Sequence, residues 1–178
     1  MNRGQKTLLV LIGLTAAPFI LAQLAFMYYR DGPDMSSMNK GTFVKPEATI
    51  AALRLEALPG PTLPDRKWRL MLYRPANCDQ VCQQNEQRAR AMPTLVGREG
   101  SRVAVALIVE DERVAAPTGN ESEPPLPRFR AGAALPGIRD GLLLVDPHGN
   151  VVLWYDAERI GAPLLSDLRF LLKNSSIG

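Results

Sequence analysis

One histidine, two cysteines and a nearly balanced charge limit what this 178-residue chain can do. Its net charge of +3 is too small and too scattered along the sequence to make a nucleic-acid surface. The single histidine, His148, sits in the turn sequence Asp146-Pro147-His148-Gly149-Asn150, so any metal site is short of imidazole. No convincing A-x-A cleavage pattern follows the N-terminal apolar stretch, which argues against a removed leader. Otherwise the composition is ordinary: 46% hydrophobic and 22% charged residues suit one globular domain with an appendage.

The appendage is N-terminal. Residues 1–6 carry Arg3 and Lys6, and the 23 residues from Thr7 to Tyr29 hold no charge. That run is long enough to cross a bilayer at about 1.5 Å per residue. It also exceeds the roughly 7–15 apolar residues of a signal sequence, so residues 7–29 read as an uncleaved transmembrane anchor. Pro18 inside it is tolerable in a membrane helix, and Tyr28 and Tyr29 fall where an interfacial aromatic belt belongs. Basic residues flank both ends, Arg3 and Lys6 against Arg30 and Lys40, so the charge bias on orientation is slight. Residues 30–46, with Asp31-Gly32-Pro33-Asp34 and two serines, read as a tether. The globular domain is expected over residues 47–178.

Trp68 to Leu95 organises that domain. Trp68, Leu70, Leu72 and Tyr73 make a bulky strand within Lys67–Arg74, and Pro75-Ala76-Asn77 break it. Asn77 reads as an N-cap, with a helix from Cys78 to about Leu95 carrying both cysteines in its first turn. Four residues apart on a helix, Cys78 and Cys82 would have α-carbons roughly 6 Å apart, within disulfide reach. Val81, Cys82, Asn85, Ala89 and Met92 share one face of that helix.

Around this stretch the pattern is α/β. Thr49 to Leu58 reads as an edge strand or short helix over one side of the core. Arg102–Val109 (RVAVALIV) is a nearly continuous apolar run, the mark of a strand buried on both faces. Glu110 to Arg130 is acidic and then proline-rich, and reads as a surface loop. Leu142–Val145 and Val151–Tyr155 are strands joined by the Asp146–Asn150 turn, and Pro163 to Lys173 is an amphipathic helix. A right-handed crossover puts the first strand and the RVAVALIV strand in one sheet.

The cysteines carry the sharpest chemistry. A thiol at a helix start has its thiolate stabilised by unpaired amides and the dipole, which makes Cys78 the nucleophile and Cys82 the resolving thiol. Arg74 would add to that effect and Asp79 would oppose it. The alternatives are that Cys82 is the second of two soft ligands for copper, or that the pair is a structural bridge; the latter closes only three intervening residues and constrains the unfolded chain little. His148 is a poor third ligand: six or seven strand residues at ~3.3 Å each would carry it about 20 Å from the cysteine end. Met35 and Met38 are soft donors in a tether whose composition explains them equally well. Arg88, Arg90, Arg98 and Arg102 read as a solvated face. Glu110, Asp111 and Glu112 follow the C-terminal end of the buried strand, where α/β proteins place their sites.

Strand, loop, dithiol and helix, followed by β, loop and β-β-α, resemble the layout of thioredoxin-like proteins. CxxxC after a strand, ALIVEDER, and LLVDPHGNVVLWY, behind an N-terminal anchor, together resemble the Sco family, which serves copper delivery or thiol reduction in cytochrome c oxidase assembly. NKGTFVKP at Asn39–Pro46, Asp79, and the ending DLRFLLKNSSIG are similar to a divergent group of oxidase-associated membrane proteins of proteobacteria. The resemblance implies that Cys78 and Cys82 are the two copper-binding cysteines of that family. The family's histidine ligand would fall near Ile138, where Arg139 and Asp140 supply no imidazole. It therefore implies a biogenesis factor with an incomplete copper ligand set.

The expected protein is a thioredoxin-like α/β domain behind a single-pass transmembrane helix, held on the periplasmic side of a bacterial inner membrane. Its expected work is thiol–disulfide exchange or Cu(I) handling through Cys78 and Cys82, with cytochrome c oxidase subunits or assembly factors as partners. The alternative is a non-catalytic scaffold or accessory subunit of a respiratory complex.

Overall fold

The uncharged N-terminal run becomes helix α1, Arg3–Arg30, with Pro18 inside it. At 1.5 Å per residue its 28 residues extend about 42 Å. Leu8, Leu11, Phe19, Leu21 and Phe26 all project outward, and among the described residues this is the one helix long and apolar enough to cross a membrane. A soluble helix would keep one polar face. This one is apolar all round.

The computed structural model describes residues 2–30, 39–110, 124–131 and 141–176. Met35, Met38, Asp111, Glu112 and the Ile138-Arg139-Asp140 positions lie outside the described residues, as do the side chains of Tyr28 and Tyr29.

The second unit, Asn39–Gly178, contains the sheet. Its strands are β1 (Thr42–Thr49), β2 (Leu55–Ala57), β3 (Trp68–Arg74), β4 (Val103–Val109), β5 (Arg128–Ala131), β6 (Gly141–Val145) and β7 (Asn150–Asp156). Helices α2 (Gln80–Leu95) and α3 (Ala162–Asn174) complete it. The strand order is β1-β7-β6-β3-β4-β5-β2, with β3 in the middle. Strands β3, β4 and β5 run parallel, while β6 is antiparallel to β3, β7 to β6, β1 to β7 and β2 to β5.

Alternation along the strands divides the core. Leu70, Leu72, Val105, Leu107, Leu142, Leu144, Leu153 and Tyr155 pack on the α2–α3 side against Ala89, Met92, Leu164, Leu168 and Leu172. Met71, Ala106, Ile108, Leu143 and Val145 face the other way and are covered by Leu53, Ile50 and Leu63. Each fully buried leucine, isoleucine, valine or methionine among them contributes about 1.5–3 kcal/mol through removal from water. The RVAVALIV run is buried at every position from Val103 to Val109, as a strand covered on both faces requires.

The β6–β7 turn follows the DPHGN signal. Asp146 Oδ1 accepts the backbone N–H groups of His148 and Asn150, and Gly149 adopts φ +92.

Four readings need correction. Residues 42–46 are strand, not tether, and the sheet-bearing unit starts at Asn39 rather than 47. Pro46 is accommodated because β1 is an edge strand whose register shifts between Phe43 and Ala48. The Glu110–Arg130 segment ends in strand β5, whose RFRA sequence pairs with β4 on one side and β2 on the other. Val81 does not share the buried face of α2, whose buried residues are Asn85, Glu86, Ala89 and Met92.

Candidate functional site

Strand β3 delivers the chain to the C-terminal edge of the sheet at Arg74, and Pro75-Ala76-Asn77 turn it toward α2. The cap of that helix is Asp79, not Asn77. Its Oδ1 accepts the Cys82 N–H at 2.8 Å, and its carbonyl accepts the Gln83 N–H at 3.0 Å. Cys78 therefore stands one residue before the cap, outside the helix, while Cys82 lies in its first turn. The sequence reading placed both in the helix because it started the helix one cap too early. Aspartate ahead of a polar helical run is a capping signal in its own right.

Cys78 and Cys82 are joined as a disulfide with α-carbons 5.3 Å apart. Both residues are half-buried. Beside them opens a groove of about 390 Å³ lined in part by Tyr73, Pro75, Val81, Asn85, Ala157 and Ile160. Val81 is 53% exposed at its edge. The far wall is the turn Ala157–Arg159 and Ile160, fixed to α2 from two points. Asn85 Nδ2 donates to the Ala157 carbonyl at 2.9 Å, and Arg88 Nη1 to the Ile160 carbonyl at 3.4 Å.

Behind the disulfide lies a buried charge cluster. Arg74 Nη1 meets Glu86 Oε2 at 2.9 Å, and Arg90 Nη2 meets Glu86 Oε1 at 2.9 Å. Arg74 thus points its charge at Glu86, where the sequence reading had it assisting the Cys78 thiolate. Of the four arginines read as a solvated face, Arg98 is exposed, while the other three tie elements together. Arg90 also donates to the Pro124 carbonyl, Arg88 to Ile160, and Arg102 to the Leu172 and Ser175 carbonyls.

A second polar knot closes the unit where the chain enters the sheet. Asp167, 2% exposed on α3, accepts three hydrogen bonds at Oδ2: from the Lys40 N–H (2.6 Å), the Gly41 N–H (2.9 Å) and the Tyr155 hydroxyl (2.8 Å). Burial first, and then the Asp167 hydrogen bond and charge, raise the Tyr155 hydroxyl pKa well above its ordinary value of 10.0. Gly41 is required here, since a Cβ would come within 2.6 Å of the Tyr155 ring. Nothing local signals this knot in the sequence; Lys40 and Gly41 lie more than a hundred residues from Tyr155 and Asp167.

The other candidates separate from the cysteines. In the antiparallel β3–β6 pair, Val145 lies beside Arg69, so the His148 turn is at the opposite end of the sheet from the disulfide. Glu110 is exposed just beyond β4. Among the described residues, no three His, Cys, Asp or Glu side chains cluster as a metal site.

Residues 68–175 match the family described as transmembrane-like, thioredoxin-like, C-terminal domain. Among solved structures, apo Sco1 from Thermus thermophilus has 18% identity and a TM-score of 0.53, covering 78% of this chain and 99% of that one. Copper-bound ScoI from Arabidopsis thaliana has 14% identity and a TM-score of 0.43, over 60% of this chain and 86% of that one. A thiol:disulfide interchange protein from a Bacteroides species has 13% identity and a TM-score of 0.38, over 62% and 76%. No curated protein matches the sequence.

Proposed function

The chain belongs to the transmembrane-like, thioredoxin-like C-terminal domain family, and from that premise we propose that it is a membrane-anchored thiol–disulfide exchange factor. The observation that carries this reading is the Cys78–Cys82 disulfide at the mouth of a groove, directly after the middle strand of the sheet. In the reduced chain, Cys78 attacks a disulfide on a partner and Cys82 resolves the mixed disulfide. Helix α1 supports a single-pass anchor, and the redox pair supports a periplasmic location in a bacterial inner membrane. The resemblance of Asn39–Pro46 and the C-terminal DLRFLLK stretch to oxidase-associated proteins supports cytochrome c oxidase assembly as its setting.

Copper is the other cargo the pair suggests. Reduced, the two sulfurs are soft donors for Cu(I). The described residues supply no third donor beside them, with His148 at the far end of the sheet. The donor set fits copper incompletely.

The test is a Cys82→Ser variant of the full chain in its native membrane. Trapping of an oxidase subunit or assembly factor as a mixed disulfide on Cys78 is the expected result. If no mixed disulfide forms, and a Cys78→Ser/Cys82→Ser chain supports oxidase assembly at the native level, the protein is a scaffold. Stoichiometric Cu(I) uptake by the reduced native chain, lost in the double variant, would move the reading to copper.

A further inference from the structure

We propose that the end of the domain carrying Leu95 and Phe170 lies on the bilayer surface, its basic rim held by anionic phospholipid headgroups. This rests on the anchor reading above and adds to it a lipid-facing surface.

Two large apolar side chains stand exposed where the helices end. Phe170, on α3, is 47% exposed, and Leu95, the last residue of α2, is 46% exposed. Arg169 joins the two elements, since its Nη2 donates to the Leu95 carbonyl at 2.8 Å. Lys173 lies one helical turn beyond both Arg169 and Phe170, and Arg98 projects from the short helical turn Gly97–Arg102 that follows Leu95. All three cations are exposed, and no carboxylate among the described residues pairs with them. Glu99, the acid beside Arg98, is bound to Arg102. Apolar side chains rimmed by cations that lack acidic partners are the chemistry of an interfacial surface on anionic lipid.

The tether arrives at the same place. Asp167, which takes the Lys40 and Gly41 amides, precedes Phe170 by one turn of α3, and Lys40 adds a fourth exposed cation. Residues 31–38 alone separate Asn39 from the end of α1 at Arg30, about 30 Å of chain at full extension. A bilayer that holds α1 is therefore within reach of this surface. Each Lys or Arg near an anionic surface favours binding roughly fivefold. Such a patch would hold a free domain weakly; a short tether raises the effective concentration to millimolar order, where weak contacts suffice.

Cys82 lies in the first turn of α2 and Leu95 ends it, so the disulfide stands about 20 Å along the helix from the lipid-facing end. Docking then keeps the reactive turn off the headgroups and open to a partner's sulfurs.

The test uses the full chain in vesicles of phosphatidylcholine brominated in its acyl chains, with or without about 30% phosphatidylglycerol. Phe170→Trp places an indole in the patch, and Val81→Trp places one near the start of α2; the native emission of Trp68 and Trp154 is subtracted from both. In the anionic vesicles, bromine should quench the Phe170→Trp emission about threefold more than that of Val81→Trp. The difference should shrink in phosphatidylcholine alone, in about 0.5 M salt, and in Phe170→Trp/Arg98→Gln/Lys173→Gln. Equal quenching of the two indoles in vesicle-bound chains overturns the inference and leaves the anchor standing. A difference that neither salt nor the glutamine substitutions lower overturns headgroup recognition. A native chain that an alkaline wash strips from the vesicles removes the anchor reading, and the inference with it.

Discussion

Arg74 Nη1 and Glu86 Oε2 meet at 2.9 Å with side chains only 4% and 8% exposed, joining the last residue of β3 to the second turn of α2. The loop that carries Cys78 is strung between these two anchor points, so the pair fixes both ends of the reactive turn. Removing one partner strands a buried charge, which costs about 3–5 kcal/mol. Glu86→Ala should therefore destabilise the domain by that amount, measured by urea unfolding of the full chain in detergent and followed by tryptophan fluorescence. Glu86→Gln, which keeps the shape, should cost less. A Glu86→Ala loss under about 1 kcal/mol would show that the charges find water instead.

Tyr155 gives the domain a proton-linked loss of stability in alkali. Its folded-state pKa is raised by burial and by Asp167, so the neutral phenol is favoured in the native state. The contribution is complete below the ordinary value of 10.0 and is lost as pH rises above it. Native unfolding free energy should fall by up to about 1.4 kcal/mol per pH unit above that point from this group. Tyr155→Phe should remove that component. An identical alkaline slope in the variant would refute the assignment.

Gly41→Ala tests the close approach between the backbone just before β1 and the Tyr155 ring. The added methyl has no room, and overpacking of this kind costs about 1–3 kcal/mol. Thermal unfolding should show the loss, and a Gly41→Ala/Tyr155→Phe chain should not recover it, because the clash is with ring carbons as well as the hydroxyl.

Val81 makes the opposite prediction. It is exposed beside Cys82, so Val81→Ser should leave the unfolding midpoint within about 0.5 kcal/mol of native. If the groove receives the partner, the second-order rate of mixed-disulfide formation should fall about tenfold, the equivalent of one buried aliphatic contact. Equal rates would place the partner elsewhere.

What could be read from the sequence was what is local. The RVAVALIV run and the DPHGN turn each announce themselves within ten residues and stand where expected, and the cysteine pair does follow its bulky strand, though with Cys78 outside the helix. Strand β1 was hidden because Pro46 and the preceding turn formers mask a strand that an edge position tolerates. Strand β5 was hidden because four residues, RFRA, carry too little periodicity to stand out from a proline-rich loop. The cap at Asp79 was misplaced by two residues, which moved Cys78 out of the helix. The Arg74–Glu86 and Asp167–Tyr155–Gly41 contacts join groups on different elements, and only folding brings them together.

Where the polypeptide joins the sheet also decides how the domain would bear a pull from its N-terminal side. Tension arriving at Asn39 meets the two amides held by Asp167 before it meets any strand pairing, and passes into the last helix. The middle strand and the sulfur bridge stand aside from that path. Traction on the anchor would load the outermost strand before it reached the reactive turn.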